Sequence, residues 1–376
     1  MKADRFFHRQ SLPAILIFSM LIFNSCTKET TLKEAYAGEF VVGAALNTRT
    51  FAGSDTASSE LVQKHFNSIT STNDLKWERI HPKPGEYTFE RADMFVNYGE
   101  EHNMHVVGHV LIWHSQTPSW VFLDENGDTA SREVMLERMK DHIETVMTRY
   151  RGRIHTWDVV NEALADDGSL RENNWYKAIG DDWVEKAFEF AQGIDPEVSL
   201  IYNDYSLANP AKRDGAVRLI QSLQEKGLKV DGIGMQGHYH LDNPSLENLE
   251  ASIVAFSDLG IEVHITELDV NVLPSPWNYI GANVEITHEM HEELNPYPDS
   301  LPAVVQDELA VRYAGFFRIF REHHEHIERV TFWGESDRSS WLNNWPVRGR
   351  TNYPLLFDRE LQPKPAFDAV MKVAGE

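Results

Sequence analysis

Cysteine and positive charge are both scarce in this sequence. Cys26 is the only cysteine among 376 residues, which excludes a disulfide framework and a cysteine-rich metal site. Lysine and arginine number 35 against 58 aspartates and glutamates, so the net charge is −23. A surface this acidic repels nucleic acid, and we expect no nucleic-acid partner. The apolar run at 12–23 is too short to cross a bilayer as a helix.

The remaining composition is that of a globular protein. Hydrophobic residues make up 42% and charged residues 25% of the chain, which argues against a disordered or fibrous protein. Aromatic residues reach 11%, with ten tryptophans and twelve tyrosines. Their flat apolar faces carry polar groups at the edge, so they suit sugar rings as well as a protein core.

The N-terminus has the organisation of a secretory signal. Three basic residues precede the apolar run at 12–23, and Cys26 follows that run after Asn24 and Ser25. A basic stretch, a short apolar segment and a small residue before the cut are typical of such signals. A cysteine at the cut resembles the bacterial lipoprotein signal, in which it becomes acylated. We therefore expect residues 1–25 to be removed and Cys26 to carry lipid; the alternative is an ordinary signal with a chance or buried cysteine.

This signal predicts secretion across the inner membrane and a lipid anchor in the cell envelope, on the periplasmic or the surface face of the outer membrane. Residues 26–38 are predicted to form a short polar tether. No Ser/Gly-rich or Pro-rich linker follows residue 40. We therefore expect residues 39–376 to form one domain.

Strand-like and helix-like segments alternate along that domain. Eight short apolar runs are predicted strands: 41–46, 68–72, 105–111, 154–160, 199–203, 232–236, 261–266 and 330–333. Longer stretches with helical periodicity lie between them: 92–102, 131–150, 175–192, 211–226, 246–259 and 309–323. This alternation predicts an α/β fold with a parallel sheet, and eight repeats predict a closed (β/α)₈ TIM barrel. The longest irregular stretch, 271–301, follows the seventh strand.

Polar side chains collect at the C-terminal ends of these strands. Because strand side chains alternate between faces, Asp158 and Glu162 share one face of the fourth strand and its end,. By the same parity, further side chains point into the same mouth from the third, sixth and seventh strands: His109, Trp113, Gln236, His238 and Glu267. A single glutamate at a strand end is ordinarily a satisfied polar residue. Two glutamates with histidine, glutamine and tryptophan indicate an active site.

Two carboxyl groups across a barrel mouth are the equipment for glycoside hydrolysis. One protonates the leaving oxygen, and the other attacks the anomeric carbon or activates water. Glu162 follows Asn161, whose amide can hold a sugar hydroxyl. Asp269 lies two residues beyond Glu267, and His238 from the neighbouring strand can keep Glu267 ionised,.

Five blocks in order resemble glycoside hydrolase family 10, the retaining endo-β-1,4-xylanases. They are GHVLIWHSQTPSW at 108–120, WDVVNE at 157–162, DGIGMQGH at 231–238, HITELD at 264–269 and TFWGESD at 331–337. The Asn-Glu pair alone occurs in many barrel glycosidases, but the ordered set is highly specific. The resemblance covers nearly the whole chain after the signal.

The resemblance implies a role for each matching residue. Glu162 would be the general acid/base and Glu267 the nucleophile, with Asn161 on the substrate 2-hydroxyl and His238 on the nucleophile. Asp158 and Asp269 would support them, and Tyr205 would reach the leaving-group side. The remaining residues implied in the glycone subsites are Asn73, Lys76, His109, Trp113, Gln236, Trp333 and Trp341. The implied substrates are xylan and xylo-oligosaccharides, and this chemistry requires no metal or organic cofactor.

Two positions depart from the family pattern. Thr72 stands where the family usually has a glutamate that contacts the second glycone sugar, so we expect a weaker grip on that sugar. Glu335 replaces an aliphatic residue, and we expect it to help only if it reaches solvent or a cation. Glu335 could also fill the role of the missing glutamate.

Two alternatives to a xylanase stay open at this point. The same barrel could act chiefly on β-1,4-glucan, although bulky Trp333 and Trp341 over the glycone sites disfavour a hydroxymethyl group. A surface lipoprotein that binds glycan without cleaving it is the second alternative. The histidine-rich stretches at 288–291 and 323–326 lack the spacing of a zinc-protease helix, and we interpret them as a loop and a solvated helix face.

Overall fold

Short runs rich in valine and isoleucine form the strands, as expected for a parallel sheet buried on both faces. The computed structural model describes Met1 and residues 30–275 and 289–376. The predicted apolar signal segment, Cys26, and residues 276–288 of the predicted 271–301 loop therefore lie outside the described residues. Within the described ranges, no helix is both long and apolar enough to span a bilayer.

Eight parallel strands close into a barrel, which confirms the predicted fold. In chain order they are β1 (Val41–Leu46), β2 (Ser68–Ser71), β3 (His105–Gly108), β4 (Thr156–Asn161), β5 (Ser199–Asp204), β6 (Gly232–Met235), β7 (Glu262–Asn271) and β8 (Ile327–Phe332). Each pairs with the next, and β8 pairs with both β7 and β1, which closes the cylinder. Short segments Ile112–Trp113 and His238–His240 pair with the C-terminal ends of β4 and β7.

Helices surround the barrel. They are α1 (Leu32–Ala35), α2 (Thr48–Phe51), α3 (Thr56–His65), α4 (Trp77–Ile80), α5 (Glu90–Glu101), α6 (Arg132–Arg149), α7 (Asn174–Ile179), α8 (Trp183–Ile194), α9 (Pro210–Glu225), α10 (Leu246–Ser257), α11 (Ala303–Glu322) and α12 (Pro365–Ala374). Short 3₁₀ turns lie at Ser119–Val121, Glu292–Leu294 and Trp341–Asn343. Apolar faces of these helices pack on the outside of the strands and form one continuous core with them.

Two predicted elements have different bounds in the structure. The predicted helix 175–192 is two helices, α7 and α8, because the chain takes a φ of 110° at Gly180, which a glycine adopts without strain,. The predicted strand 105–111 ends at Gly108. A Cβ atom there would lie 2.1 Å from the Trp157 ring, so only glycine lets this ring pack against the strand.

The predicted tether at 26–38 is wrong from Thr31 onward. The compact unit begins at Thr31, and α1 follows at once. Leu32 and Tyr36 are fully buried, and the Tyr36 hydroxyl donates a hydrogen bond to the Val370 carbonyl of α12 at 2.6 Å. The spacing of these two residues places them on one face of a helical turn, so the segment packs as part of the barrel.

Candidate active site

The C-terminal ends of the strands surround a cleft of about 870 Å³. Both predicted catalytic glutamates line it, Glu162 directly after β4 and Glu267 within β7. The other predicted residues that line it are Asn73, Lys76, His109, Trp113, Asn161, Tyr205, Gln236, His238, Asp269, Trp333 and Trp341. Asp158 does not line the cleft. It lies behind His109.

Glu162 lies in a left-handed turn at the end of β4. Its φ is +59°, a conformation that costs a non-glycine residue about 1–2 kcal/mol. Its Oε1 accepts a hydrogen bond from the Gln236 amide at 3.1 Å, and 6% of the residue is exposed. Burial raises the pKa of the Glu162 carboxyl; the Gln236 amide and the Lys212 ammonium oppose this, and the charge of Glu267 adds to it. The arrangement favours a neutral, proton-donating carboxyl group.

Glu267 receives a hydrogen bond on each oxygen. The Asn203 amide donates to Oε1 at 2.9 Å, and His238 Nε2 lies 3.2 Å from Oε2. Burial alone would raise the pKa of Glu267, but the His238 hydrogen bond, the electrostatic interactions with His109 and with the His238 charge, and the Asn203 amide lower it below its usual value. The arrangement favours a carboxylate.

His238 connects Glu267 to Asp269. Its Nδ1 lies 3.0 Å from Asp269 Oδ1, and Asp269 Oδ2 accepts a hydrogen bond from Trp341 Nε1 at 2.7 Å. Burial opposes a charge on the ring, but Asp269 and Glu267 outweigh it and raise the pKa of His238 to about 10. His238 is therefore an imidazolium at neutral pH that donates from both nitrogens.

An amide network that sequence reasoning missed joins the two glutamates. Asn203, on β5, donates to Glu267 Oε1 and to Asn161 Oδ1, at 2.9 and 3.1 Å, and its own oxygen accepts from Thr266 Oγ1 at 2.6 Å. Gln236 donates to the same Asn161 oxygen at 3.1 Å. Asn203 shares strand parity with Tyr205, so the rule that found the other strand-end residues would have found it on the fifth strand.

His109 and Asp158 form a buried pair beside Trp333. His109 Nδ1 lies 2.7 Å from Asp158 Oδ2, and both side chains are 2% exposed. The His109 ring meets Trp333 edge to face, with centroids 5.5 Å apart. Asp158 therefore orients a histidine that lines the cleft and does not contact the cleft itself.

A second cluster is centred on Gln116 and contains Lys76, Asn73 and the Trp113 ring. Lys76 Nζ donates to Gln116 Oε1 at 2.7 Å and to Asn73 Oδ1 at 3.3 Å, and it lies 4.9 Å from the Trp113 ring centroid. Burial lowers the pKa of Lys76 to about 8, partly offset by the two cleft glutamates. Gln116 also lines the cleft. Sequence reasoning missed it because it lies in a loop, where no strand parity applies.

Aromatic rings also line the cleft. Trp341 stacks on Trp345 with ring centroids 4.5 Å apart and lies 4.8 Å from the His238 ring. Tyr205 lines the cleft near Glu162. The Tyr205 hydroxyl donates to Asp166 Oδ1 and accepts from Arg171 Nη2, both at 2.7 Å. Flat faces of this kind bind sugar rings.

The two departures from the family pattern have different surroundings. Thr72 lines the cleft, and its hydroxyl donates to the Leu46 carbonyl at 3.2 Å. Glu335 lies outside the cleft lining, is 2% exposed and accepts from the Ser58 hydroxyl at 2.9 Å. The hypothesis that Glu335 replaces the missing cleft glutamate is therefore wrong. It does not reach solvent either: burial raises its pKa, and the Ser58 hydroxyl and Arg338 nearby partly compensate.

Within residues 30–275 and 289–376, no three histidine, cysteine, aspartate or glutamate side chains lie close enough together to hold a metal ion. His323 of the 323–326 stretch instead lies 3.2 Å from Glu250 on the neighbouring helix.

Two buried carboxyl groups whose pKa values are shifted in opposite directions, placed among stacking aromatics at the mouth of a (β/α)₈ barrel, define the class of glycoside hydrolases,. The sequence profile of Glycosyl hydrolase family 10 matches residues 31–373, and the chain belongs to this family. The predicted resemblance is thereby confirmed.

Similar proteins cover nearly the whole chain. It is 44% identical over 345 residues to Endo-1,4-beta-xylanase A of Xylanibacter ruminicola, covering 92% of this chain and 94% of that protein. It is 41% identical to Endo-1,4-beta-xylanase B of Paenibacillus barcinonensis, covering 91% and 97%. A solved structure of a GH10 endoxylanase retrieved from sugarcane soil metagenome superposes with a TM-score of 0.87 at 43% identity, covering 92% of this chain and all of that one.

Proposed function

We propose that this protein is an endo-1,4-β-xylanase that hydrolyses internal linkages of xylan with retention of configuration. Its membership of family 10 and its relatives, which are named as xylanases, support this proposal. The observation that carries the chemistry is the contrast between the two cleft glutamates, since burial raises the pKa of Glu162 while hydrogen bonds and positive charge lower that of Glu267.

In this proposal the two carboxyl groups act in sequence. The Glu267 carboxylate attacks the anomeric carbon while Glu162 gives its proton to the departing glycosidic oxygen, so that the C–O bond breaks and a glycosyl ester forms on Glu267. The ester removes the negative charge of Glu267, which lowers the pKa of Glu162. Glu162 then takes a proton from water, and the resulting hydroxide oxygen displaces Glu267 from the sugar.

Hydrogen bonds distinguish the two carboxyl oxygens of Glu162. Oε1 accepts from Gln236, whereas Oε2 is buried and has no hydrogen-bond partner among the described residues. A carboxylic proton is compatible with Oε2, because Oε1 already receives an N–H donor. In this proposal Oε2 is the oxygen that carries the proton which the leaving oxygen receives.

Pocket size favours xylan over β-1,4-glucan. Trp333 and Trp341 line the cleft beside His109 and His238. Glucose carries a hydroxymethyl group at C5 that xylose lacks, and large rings at this wall leave little room for it. The names of the relatives agree with this preference.

Product analysis tests the proposed activity. Purified mature protein should release xylo-oligosaccharides of several lengths from xylan and arabinoxylan, and little from carboxymethyl-cellulose. Proton NMR of early hydrolysis should show the β-anomer first, because a retaining mechanism, which generally requires carboxyl groups about 5–5.5 Å apart, keeps the configuration of the anomeric carbon. Preferential cleavage of cellulose, or an α-anomer as first product, would overturn the substrate or the mechanism respectively.

We also propose that Cys26 carries a lipid that anchors the mature enzyme in the cell envelope. The basic residues, short apolar run and cysteine of the N-terminus support this proposal,. Cells expressing the full chain should incorporate radiolabelled palmitate into the protein, and the label should be lost in Cys26→Ser. An unlabelled wild-type protein in the medium would indicate an ordinary secretory signal.

A further inference from the structure

Several contacts hold the left-handed turn at Glu162 in place. The Glu162 N–H donates to the Asn203 carbonyl at 2.9 Å. The Ala163 N–H donates to the Tyr202 hydroxyl at 3.1 Å, and the Leu164 N–H donates to Asp204 Oδ2 at 3.3 Å. Three successive backbone donors are therefore satisfied from β5.

Arg171 satisfies the three carbonyls of the same turn. Its Nε donates to the Glu162 carbonyl at 3.2 Å and its Nη2 to the Leu164 carbonyl at 2.9 Å. Its backbone N–H donates to the Ala163 carbonyl at 2.7 Å. A backbone in a sparsely populated conformation persists only when its surroundings over-determine it. Arg171 supplies a donor to each of the three carbonyls.

The same guanidinium reaches the wall of the cleft. Nη2 also donates to the Tyr205 hydroxyl at 2.7 Å. The Tyr205 ring lies under the Lys212 ammonium, 3.1 Å from nitrogen to ring centroid, and Lys212 forms an ion pair with buried Asp204 at 2.8 Å. Tyr205 lines the cleft, whereas Arg171 is not part of its lining. Arg171 therefore connects a cleft surface to the backbone of Glu162 without offering itself to the substrate.

We propose that Arg171 is the positioning residue of the acid/base carboxyl group: its guanidinium fixes the turn at Glu162 and couples it to Tyr205. This inference rests on the proposed function, because it assigns Glu162 the proton transfer. A displacement of about 1 Å can reduce a rate about 100-fold. The loss should be confined to reactions in which the leaving oxygen needs a proton.

The test compares two substrates in Arg171→Met. kcat/KM for xylotetraose, whose leaving group needs protonation, should fall roughly 10- to 100-fold, with the loss mainly in kcat. kcat/KM for an activated dinitrophenyl β-xylobioside, whose leaving group needs no proton, should stay within about twofold. Arg171→Lys keeps the charge but not the planar fork and should show an intermediate loss on xylotetraose.

Arg138 provides a matched control. Its Nη1 donates to three loop carbonyls, of Trp120, Val121 and Leu123, each at 2.9 Å. None of these residues lines the cleft. Arg138→Met should lower the melting temperature, and any change in kcat/KM should be equal for the two substrates.

The outcomes separate the two proposals. A wild-type enzyme that cleaves neither substrate would refute the proposed function. An active wild type with equal losses on both substrates in Arg171→Met, or with no loss, would refute the positioning role alone. If Arg171→Met does not fold, Arg171→Lys and Tyr205→Phe carry the same comparison: the first keeps the positive charge without the planar fork, and the second removes one contact of the guanidinium and retains the rest. A leaving-group-dependent loss in both would support the role.

Discussion

Glu162 and Glu267 are two buried glutamates in one cleft with opposite surroundings. They are 6% and 4% exposed, so burial favours the neutral form of both. Glu267 receives donors on both oxygens, one of them an imidazolium. Glu162 receives the Gln236 amide on one oxygen and has a strained backbone. Burial is common to both carboxyl groups, so the difference in hydrogen-bond donors accounts for the opposite directions of their pKa shifts.

Removing the Glu267 carboxylate should have the largest effect on kcat/KM. Glu267→Ala should reduce kcat/KM by about 10⁴-fold or more on every substrate, because no covalent intermediate can form. The measurement is hydrolysis of xylan and of an activated aryl xylobioside. The control is Glu335→Gln, which changes a buried glutamate outside the cleft lining and should retain activity. Residual activity on the activated substrate close to that of wild type would exclude Glu267 as nucleophile.

Removing the neutral member should have an effect that depends on the leaving group. Glu162→Ala should reduce kcat/KM on xylan by roughly 10²–10⁴-fold, the usual contribution of general acid catalysis. Activated aryl xylobiosides need no proton and should be hurt much less. Azide should restore their turnover by replacing the water that Glu162 no longer deprotonates. Equal losses on all substrates without azide rescue would argue against the acid/base role.

Removing the His238 imidazolium should bring the pKa of Glu267 closer to that of Glu162. His238→Asn deletes the positive donor to Glu267, and a hydrogen bond to a charged group is typically worth about 1.5–3 kcal/mol. kcat/KM on xylan should therefore fall roughly 10- to 100-fold.

The pH profile of His238→Asn shows in which direction His238 shifts the pKa of Glu267. Glu267 must be ionised, so activity is lost as the pH falls through its pKa. Since His238 lowers that pKa, its removal should move the acidic limb of the profile to higher pH. His323→Asn, which removes a histidine paired with Glu250 on the surface, should leave the limb in place. An unmoved limb in His238→Asn would show that His238 does not set the charge of Glu267.

The smallest effect is expected at Thr72. Thr72→Glu adds a carboxylate beside Asn73 on the cleft wall. kcat/KM on xylotriose and xylotetraose should rise by up to roughly tenfold, about 1.4 kcal/mol, because binding of remote sugars positions the reacting centre. Long xylan, held at many subsites, should change little, and branched xylan should be tolerated less. Thr72→Gln has the same size without the charge. An equal gain in both variants would attribute the effect to shape.

The sequence was sufficient to predict the parts of the site that follow from strand parity. Parallel strands that end at one barrel mouth must present side chains of one parity there, and this rule places Glu162, Glu267 and His238 correctly at the cleft. Gln116 and Arg171 could not be found this way, because both lie in loops whose paths depend on tertiary contacts.

The errors in the predicted fold also arise where tertiary contacts decide the structure. Helix α1 has only four residues, too few to form a stable helix by itself. It persists because Leu32 and Tyr36 are buried and Tyr36 bonds to Val370 on α12, far away in the sequence. Local polarity therefore predicted a tether where long-range packing makes a helix. Glu335 is a similar case, since its position outside the cleft depends on Ser58.

The protonation states of Glu162 and Glu267 can be measured directly. Protein labelled with ¹³C at glutamate carboxyl groups should be titrated by NMR, with Glu162→Gln and Glu267→Gln to assign the two signals. We expect the Glu162 carboxyl to titrate above the usual glutamate range and the Glu267 carboxyl below it. A Glu162 signal that titrates at lower pH than the Glu267 signal would contradict the assignment of acid/base and nucleophile.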